Sequence, residues 1–267
     1  MYLENFKGKD MNNKDKYIIF FDVDGTLVNI GKREIAQSIL AEIDRIKSEG
    51  HIPVIVTGRP LTTVTILKGS EHFMYYATLF GSVVTDAKGN NTIIGKTLDT
   101  NDTRNIIKYA NENNLKWHYK YAYGAKTTIN DAQFMERHKA ILVDENELES
   151  DISQGNIFQL WVEGNVFENA NQLYPNCDFY QMPGGYFDVT YKGISKNQAI
   201  QYLKNMYPNY KTVSVGDSNN DIAMFENTNI SIAMGNAKPE IQKQAKYVTL
   251  PIDDNGITYA LRNILKI

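Results

Sequence analysis

Asp22 and Asp24 stand two residues apart just beyond the apolar run Tyr17 to Phe21, in the segment Asp22-Val23-Asp24-Gly25-Thr26-Leu27. A run of Ile and Phe without polar alternation fits the centre of a parallel sheet, and ligands of such sheets gather beyond the carboxyl ends of the strands. Two carboxylates placed there suit phosphoryl chemistry. Asp, Gly and Thr are also ordinary turn and cap residues, so the hexapeptide alone leaves a purely structural role open.

Two further strand ends carry polar clusters. The run Ile52 to Val56 ends in Thr57-Gly58-Arg59-Pro60, and Thr212 to Val215 ends in Gly216-Asp217-Ser218-Asn219-Asn220-Asp221. In an open parallel sheet these ends share one edge, where Lys196, near the start of a helix, joins them. Carboxylates gathered in one crevice repel and raise one another's pKa, whereas a bound divalent ion keeps them ionised. Oxygen donors without His or Cys favour magnesium over zinc.

A phosphate ester resists attack because its oxygens are negative, so the site must neutralise that charge before a nucleophile approaches. Magnesium and Lys196 would supply positive charge, and the Thr57 hydroxyl, the Gly58 N–H and the Asn220 amide would complete the contacts to phosphate oxygens. Asp22 is the candidate nucleophile, forming an aspartyl-phosphate that water hydrolyses. Asp24 would protonate the leaving alcohol and then deprotonate the attacking water, and its backbone carbonyl can face the metal. Asp221 either joins the site or caps the helix that follows, and Arg59 either reaches substrate or cap or forms a structural ion pair.

The elements that must position these residues alternate. The spacing of Ile35, Ile39, Leu40, Ile43 and Ile46 predicts a helix over Arg33 to Lys47, and the apolar runs Ile52 to Val56 and Tyr75 to Leu79 predict parallel strands. Leu61 to Gly69 is too rich in Thr to read as a helix. Ser82 to Thr85 and Thr92 to Ile94 flank Lys88-Gly89-Asn90 as a hairpin, taken as the start of a second domain. That domain would hold helices near Asp102 to Asn113, Asp131 to His138 and Val166 to Leu173, with strands Trp117 to Tyr123, Ile157 to Glu163 and Cys177 to Gln181. Pro183-Gly184-Gly185 reads as the return hinge, after which Tyr186 to Tyr191, a helix over Ser195 to Met206, strands at Thr212 and Asn229 and a closing helix over Thr258 to Ile264 resume the sheet. The expected division is a core of residues 1–81 and 185–267 with a cap of residues 82–184. The fold class is α/β, a Rossmann-like parallel-sheet core with an inserted α+β cap.

The 267 residues are 42% hydrophobic, enough for a full core, and a formal charge of -3 argues against nucleic acid as a partner. The lone Cys177 cannot form an internal disulfide and fits a reducing compartment, with packing as its role. Met1 to Lys16 lacks the apolar stretch of a secretory signal, the first ten residues read as a loosely held extension, and no run reaches the ~20 apolar residues of a membrane span, so a cytoplasmic protein with no membrane partner is expected. The four histidines fit none of the clusters. Trp117, Tyr119, Tyr121 and Tyr123 alternate with polar residues, which suits packing under a covering helix, although Tyr123 beside Gly124 could touch substrate.

The residues resemble the haloacid dehalogenase superfamily and, within it, the Cof-type phosphatases of small phosphorylated metabolites. Four motifs stand in order: Asp22 to Leu27, Val56-Thr57-Gly58-Arg59-Pro60, Gly193-Ile194-Ser195-Lys196, and Gly216 to Asp221. Ala233-Met234-Gly235-Asn236-Ala237 and Asn255-Gly256-Ile257 match the subfamily's downstream signature. The resemblance implies a cap inserted after the third strand, and magnesium held by Asp22, the Asp24 carbonyl and Asp217, with Asp221 beside it or as a further ligand. It also implies that Thr57, Gly58, Lys196 and Asn220 bind phosphate. Phe80-Gly81 replaces the family's Asn-Gly at the cap junction, and Asp188 replaces a Glu. Sugar phosphates and phosphorylated cofactors are the expected substrates. Alternatives are a phosphomutase, for which Lys116, Lys120 and Lys126 could supply a second phosphate site, and a phosphometabolite-binding protein without turnover.

Overall fold

All five side chains of Tyr17–Phe21 are buried, as befits a strand covered on both faces, and in the computed structural model they form a central strand of the larger of two sheets. The structure describes residues 15–164, 170–182 and 184–267. Its strands are β1 (Tyr17–Phe21), β2 (Ile52–Val56), β3 (Tyr75–Thr78), β4 (Val83–Asp86), β5 (Asn91–Ile93), β6 (Trp117–Lys120), β7 (Ala125–Thr127), β8 (Ala140–Leu142), β9 (Gln159–Glu163), β10 (Cys177–Met182), β11 (Tyr186–Tyr191), β12 (Lys211–Gly216), β13 (Ile230–Ala233) and β14 (Tyr247–Val248). The larger sheet has eight strands in the order β14-β13-β12-β1-β2-β3-β4-β5. From β14 to β3 every pairing is parallel, and β4 and β5 are added antiparallel.

Alternation along β1 feeds two cores. Ile19 and Phe21 pack with Ile39, Leu40, Ile43 and Ile46 of the helix Gln37–Ser48 and with the C-terminal Ile257 and Leu261. Ile18 and Phe20 pack on the opposite face with Ala199, Ile200 and Leu203 of the helix Asn197–Met206. Each fully buried aliphatic side chain contributes about 1.5 to 3 kcal/mol over leaving it exposed, so both layers hold β1 in place. The first helix starts four residues later than its apolar spacing predicts: Ile35 is buried in the core but lies in extended chain, where its N–H donates to Lys68 O at 3.1 Å and Glu34 bridges to Lys68. A short helix, Leu61–Thr65, occupies the Thr-rich segment.

The smaller sheet has the order β10-β11-β9-β6-β7-β8, antiparallel except for β7 and β8. One of its faces carries Trp117, Tyr119, Leu160, Val162 and Val189, packed with Ile106 and Ile107 of the helix Thr100–Glu112 and Leu148 and Ile152 of the helix Glu145–Ser153. Trp117 and Tyr119 therefore pack under helices, and the strand stops at Lys120 before Tyr121 and Tyr123, which lie in a turn.

Strand pairing divides the chain differently from the boundaries at 81/82 and 184/185. The hairpin β4–β5 extends the core sheet, because Leu79, Phe80 and Gly81 take successive positive φ values of 52°, 55° and 81° and fold the chain back onto β3. At the other end, Gly184 and Gly185, with φ of 99° and 78°, form the turn of the β10–β11 hairpin instead of a hinge, so β11 belongs to the insert. The N-terminal decapeptide, the start of the helix near Val166, and Pro183 lie outside the described residues. Among the described residues, no helix is long and apolar enough to cross a membrane.

Candidate active site

Phe21 pairs with Val215 on one side and Ile55 on the other, so Asp22 emerges between the ends of β12 and β2, with its N–H donating to Val215 O at 3.0 Å. The loop that follows turns back sharply at Gly25, where φ is 88° and a Cβ would lie 2.2 Å from Asp217 Oδ2. Only glycine fits there. Thr26 Oγ1 donates to Asp217 Oδ1 at 2.9 Å, which ties the first and fourth motifs together. Asn236 braces the same loop from below: its Nδ2 donates to Gly25 O at 2.9 Å while its Oδ1 accepts from Ile252 N at 3.0 Å.

Lys196, the residue before the helix Asn197–Met206, is fully buried and places Nζ 2.5 Å from Asp22 Oδ1 and 2.6 Å from Asp221 Oδ1. Asp221 does two jobs at once. Its other oxygen, Oδ2, accepts from the Asp217 and Ser218 N–H groups, each at 2.9 Å, in a capping box with Ser218. That approach is close enough that a Cβ on Gly216 would lie 2.4 Å from Asp221 Cγ.

The cluster of Asp22, Asp217 and Asp221 holds more negative charge than one ammonium balances. Burial pushes Asp22 well above the ordinary carboxylate range; Lys196 opposes this, while Asp221 and Asp217 add to it. Asp217 is pushed up to about 6, by burial first and then by the Asp221 charge. Burial also works against the Lys196 ammonium, but the charges of Asp22 and Asp221 outweigh it and raise its pKa. Ligand oxygens of Asp22, Asp217 and Asp221 all lie within 4.8 Å of one another. An all-oxygen, net-negative donor set of this size fits a hard divalent cation such as magnesium.

The remaining candidates surround this centre. Asp24 turns its carboxylate to Arg59, which donates from Nε at 2.9 Å and from Nη2 at 2.6 Å. Arg59 thus takes the ion-pair role left open by the sequence. Buried Thr57 accepts from the Arg59 N–H at 3.2 Å and keeps its hydroxyl proton to donate. A Cβ on Gly58 would lie 2.8 Å from the Phe80 ring, so that ring roofs the Gly58 backbone. Asn220 accepts from Ser218 Oγ at 3.1 Å, which leaves its amide N–H groups for a ligand.

The insert reaches this edge. The Phe80 ring lies 5.7 Å from that of Tyr180, Leu79 and Val83 pack with Ala122 and Phe158, and Thr62 N donates to Tyr123 O at 3.1 Å. Tyr123 makes that contact through its backbone, and its side chain is exposed. The three lysines considered for a second phosphate are each matched to a carboxylate: Lys116 to Asp131 at 2.6 Å, Lys120 to Asp188 at 3.3 Å, and Lys126 to Glu147 and Asp151 at 2.8 Å.

Sequence reasoning passed over Thr26 and Asn236 as site residues, since a Thr in a turn and an Asn in a downstream loop carry no chemical pattern of their own. The signal was present in the motifs themselves, whose unassigned polar positions hold the loop that holds Asp22.

The haloacid dehalogenase-like hydrolase family model matches residues 19–261. YkrA of Bacillus subtilis (strain 168), by its name a candidate phosphatase, is 30% identical over 258 residues that cover 94% of this chain and 98% of YkrA. The 5-amino-6-(5-phospho-D-ribitylamino)uracil phosphatase YcsE of the same strain is 25% identical over 257 residues, covering 93% of this chain and 96% of YcsE. In fold, the chain superposes on BT1666 of Bacteroides thetaiotaomicron, a phosphatase of the same superfamily, with a TM-score of 0.80 at 22% identity, over 99% of this chain and 100% of that one. BT4131, described as a subclass IIB sugar phosphatase, superposes with a TM-score of 0.77 at 22% identity, over 94% of this chain and 100% of that one. With its core, insert and motif order all in agreement, the chain belongs to the haloacid dehalogenase-like hydrolases of the Cof type.

Proposed function

We propose that the protein is a magnesium-dependent phosphatase that hydrolyses small phosphorylated metabolites through an aspartyl-phosphate on Asp22. The carrying observation is the convergence of Asp22, Asp217 and Asp221 within 4.8 Å of one another at the ends of β1 and β12, with the buried Lys196 ammonium bonded to Asp22 and Asp221. Hydrolase family membership and the names of the relatives, phosphatases among them, support the reaction class.

Asp22, Asp217 and Asp221, with the Asp24 carbonyl, would hold the metal, which when bound screens the negative charge of the phosphate. Lys196 adds a fixed positive charge against Asp22 and, with the Thr57 hydroxyl, the Gly58 N–H and the Asn220 amide, receives phosphate oxygens. Asp22 then attacks phosphorus and the ester oxygen leaves, taking a proton from Asp24. In the second step Asp24 takes a proton from water, which attacks the aspartyl-phosphate and restores Asp22. Asp24 must release at least one oxygen from Arg59 to carry that proton, so Arg59 sets its orientation between steps. The insert acts as the cap that excludes bulk water, and by strand pairing it is the segment between β5 and the helix Asn197–Met206. A reducing, cytoplasmic setting accords with the buried thiol of Cys177.

Phosphate release from a panel of phosphorylated sugars, nucleotides and cofactors, with and without magnesium, tests the reading. We expect a magnesium-dependent signal that Asp22→Asn abolishes. Isomerised product with little free phosphate would instead establish a mutase, and tight phosphate binding without any product would establish a binding protein.

A further inference from the structure

The smaller sheet ends on one side at β8, and that edge is apolar. Ala140, Ile141 and Leu142 run on into Val143 without a charged, amide or proline residue, and Ile141 and Leu142 are 58% and 42% exposed. An open edge strand invites pairing, and folded proteins blunt such edges with charge, brevity or a covering element. Among the described residues, the other sheet edges are blunted in these ways. β5 carries Asn91 and Thr92, and β14 has only two residues. β10 carries Asp178 and sets Tyr180 against the core, where its hydroxyl donates to Ile194 O at 3.2 Å.

The pairing of β8 with β7 fixes what the open edge offers. Val143 N–H donates to Thr127 O at 2.9 Å, and alternate residues of a parallel ladder bond to the neighbour, so Ile141 turns its backbone to β7 while Ala140 and Leu142 turn their N–H and C=O groups outward. Directly paired residues share a face of the sheet. Ile141 pairs with Lys126 and Lys126 with Tyr119, so Ile141 lies on the helix-covered face and Leu142 on the other. A helix laid on either face would leave one of the two side chains bare. A further strand satisfies both outward backbone pairs and covers both side chains at once.

Charge reverses along this edge. The helix Ala132–His138 ends before it with exposed Arg137 and with Lys139, which bridges to Glu136, and the helix Glu145–Ser153 starts after it with exposed Asp144 and Glu145. We propose that β8 of one copy of this chain pairs antiparallel with β8 of a second copy, about a two-fold axis at Ile141, so that the two six-stranded sheets become one. In that register Ala140 and Leu142 of each copy exchange both backbone hydrogen bonds with Leu142 and Ala140 of the other, and the two Ile141 side chains meet on the axis. The large Leu142 side chain lies beside the small Ala140 of the second copy. Arg137 and Lys139 come to the end of the strand where the second copy presents Asp144 and Glu145, and symmetry repeats the match. Parallel pairing would instead set like charges side by side.

The interface is small, so the dissociation constant should be roughly 1 to 100 μM. Sedimentation velocity of the full chain from about 1 to about 500 μM should then show a monomer–dimer equilibrium. Leu142→Pro removes an outward N–H and leaves the bond from Val143 to Thr127 in place, and Ile141→Lys sets two ammonium groups on the axis. We expect each to weaken association by about tenfold or more at an unchanged melting temperature, and Ile141→Lys carries the test if Leu142→Pro folds poorly. Crosslinking tests the register. Facing residues outside the hydrogen-bonded pairs have Cα atoms about 4.5 Å apart, within disulfide reach, and the natural Cys177 is buried. Mild oxidation should therefore couple Ile141→Cys into a dimer and leave Ile93→Cys, on the edge strand β5 and 57% exposed in the parent chain, as a monomer. A chain that stays monomeric at the highest concentration, a dimer that both substitutions leave intact, or equal crosslinking through the two thiols would overturn the proposal. None of these readouts depends on turnover, so they stand or fall apart from the phosphatase reading.

Discussion

Arg59 grips both carboxylate oxygens of Asp24, through Nε at 2.9 Å and Nη2 at 2.6 Å, and the Arg59 N–H also donates to Thr57 Oγ1. One residue thereby couples the second motif to the candidate acid. A flat guanidinium fixes the carboxylate plane in a way an ammonium cannot. We expect Arg59→Lys to lower kcat by about tenfold or more, and Asp24→Asn by about 100-fold or more. In both variants the loss should be larger for alkyl phosphates than for p-nitrophenyl phosphate, whose leaving group departs without a proton. Equal losses on the two substrates would remove Asp24 from the role of acid.

Magnesium affinity should depend on pH through Asp217. Its pKa is pushed up to about 6 from the ordinary 3.8 by burial and by Asp221, so the folded metal-free protein holds a proton there that the unfolded chain has released above pH ~4. The sign follows: this group's contribution to metal-free stability is fully present below about 4 and is lost as pH rises through about 6. Magnesium binding must displace the same proton, so apparent affinity should fall steeply below pH 6 and binding there should release protons. Calorimetric titrations at pH 5.5 and 8 in buffers of different ionisation enthalpy measure both. A proton count of zero at pH 5.5 would show that the cluster is already ionised without metal.

Gly58 is held open by the ring above it. A Cβ there would meet Phe80 Cζ at 2.8 Å, and Phe80 cannot simply retreat, since its backbone sits at φ 55° and its ring packs beside Tyr180 of the cap. Gly58→Ala should therefore disturb both the phosphate-facing N–H and the cap contact, raising KM. Phe80→Asn removes the ring and tolerates the left-handed backbone better, so Gly58→Ala in that background should lose less than in the wild type. A double-mutant cycle with additive losses would show that the two residues do not act on each other.

The core of this fold was legible because its signals are strong. Unbroken apolar runs such as Tyr17 to Phe21 and Ile52 to Val56, each ending in a polar cluster, name buried parallel strands and the edge they share. The insert was less legible. β7 and β8 have three residues each, too few to show a period, and the helix Glu145–Ser153 buries only Leu148 and Ile152. Sheet membership was hidden altogether, since nothing local in Val83 to Ile93 or in Tyr186 to Tyr191 says which sheet offers the free edge. Among the site residues, the acids and Lys196 carried chemistry in their types. Thr26 and Asn236 carried none, and only their hydrogen bonds to Asp217 and to Gly25 set them apart.

Lys196 separates the structural from the catalytic role of charge in this site. Among the described residues it is the one ammonium set between the buried carboxylates of Asp22 and Asp221, and removing one member of such a group typically costs about 3 to 5 kcal/mol. In Lys196→Met, which keeps most of the side-chain volume, the metal-free protein should melt roughly 6 to 12 °C lower. A divalent ion can take over the balancing of those carboxylates, so magnesium should raise the melting temperature of the variant by more than that of the wild type. It cannot take over the contact that Lys196 makes with the transferring phosphate, so turnover should stay low at saturating magnesium. Recovery of stability without recovery of activity would place the ammonium in both roles. Full recovery of both would show that its charge serves the fold alone.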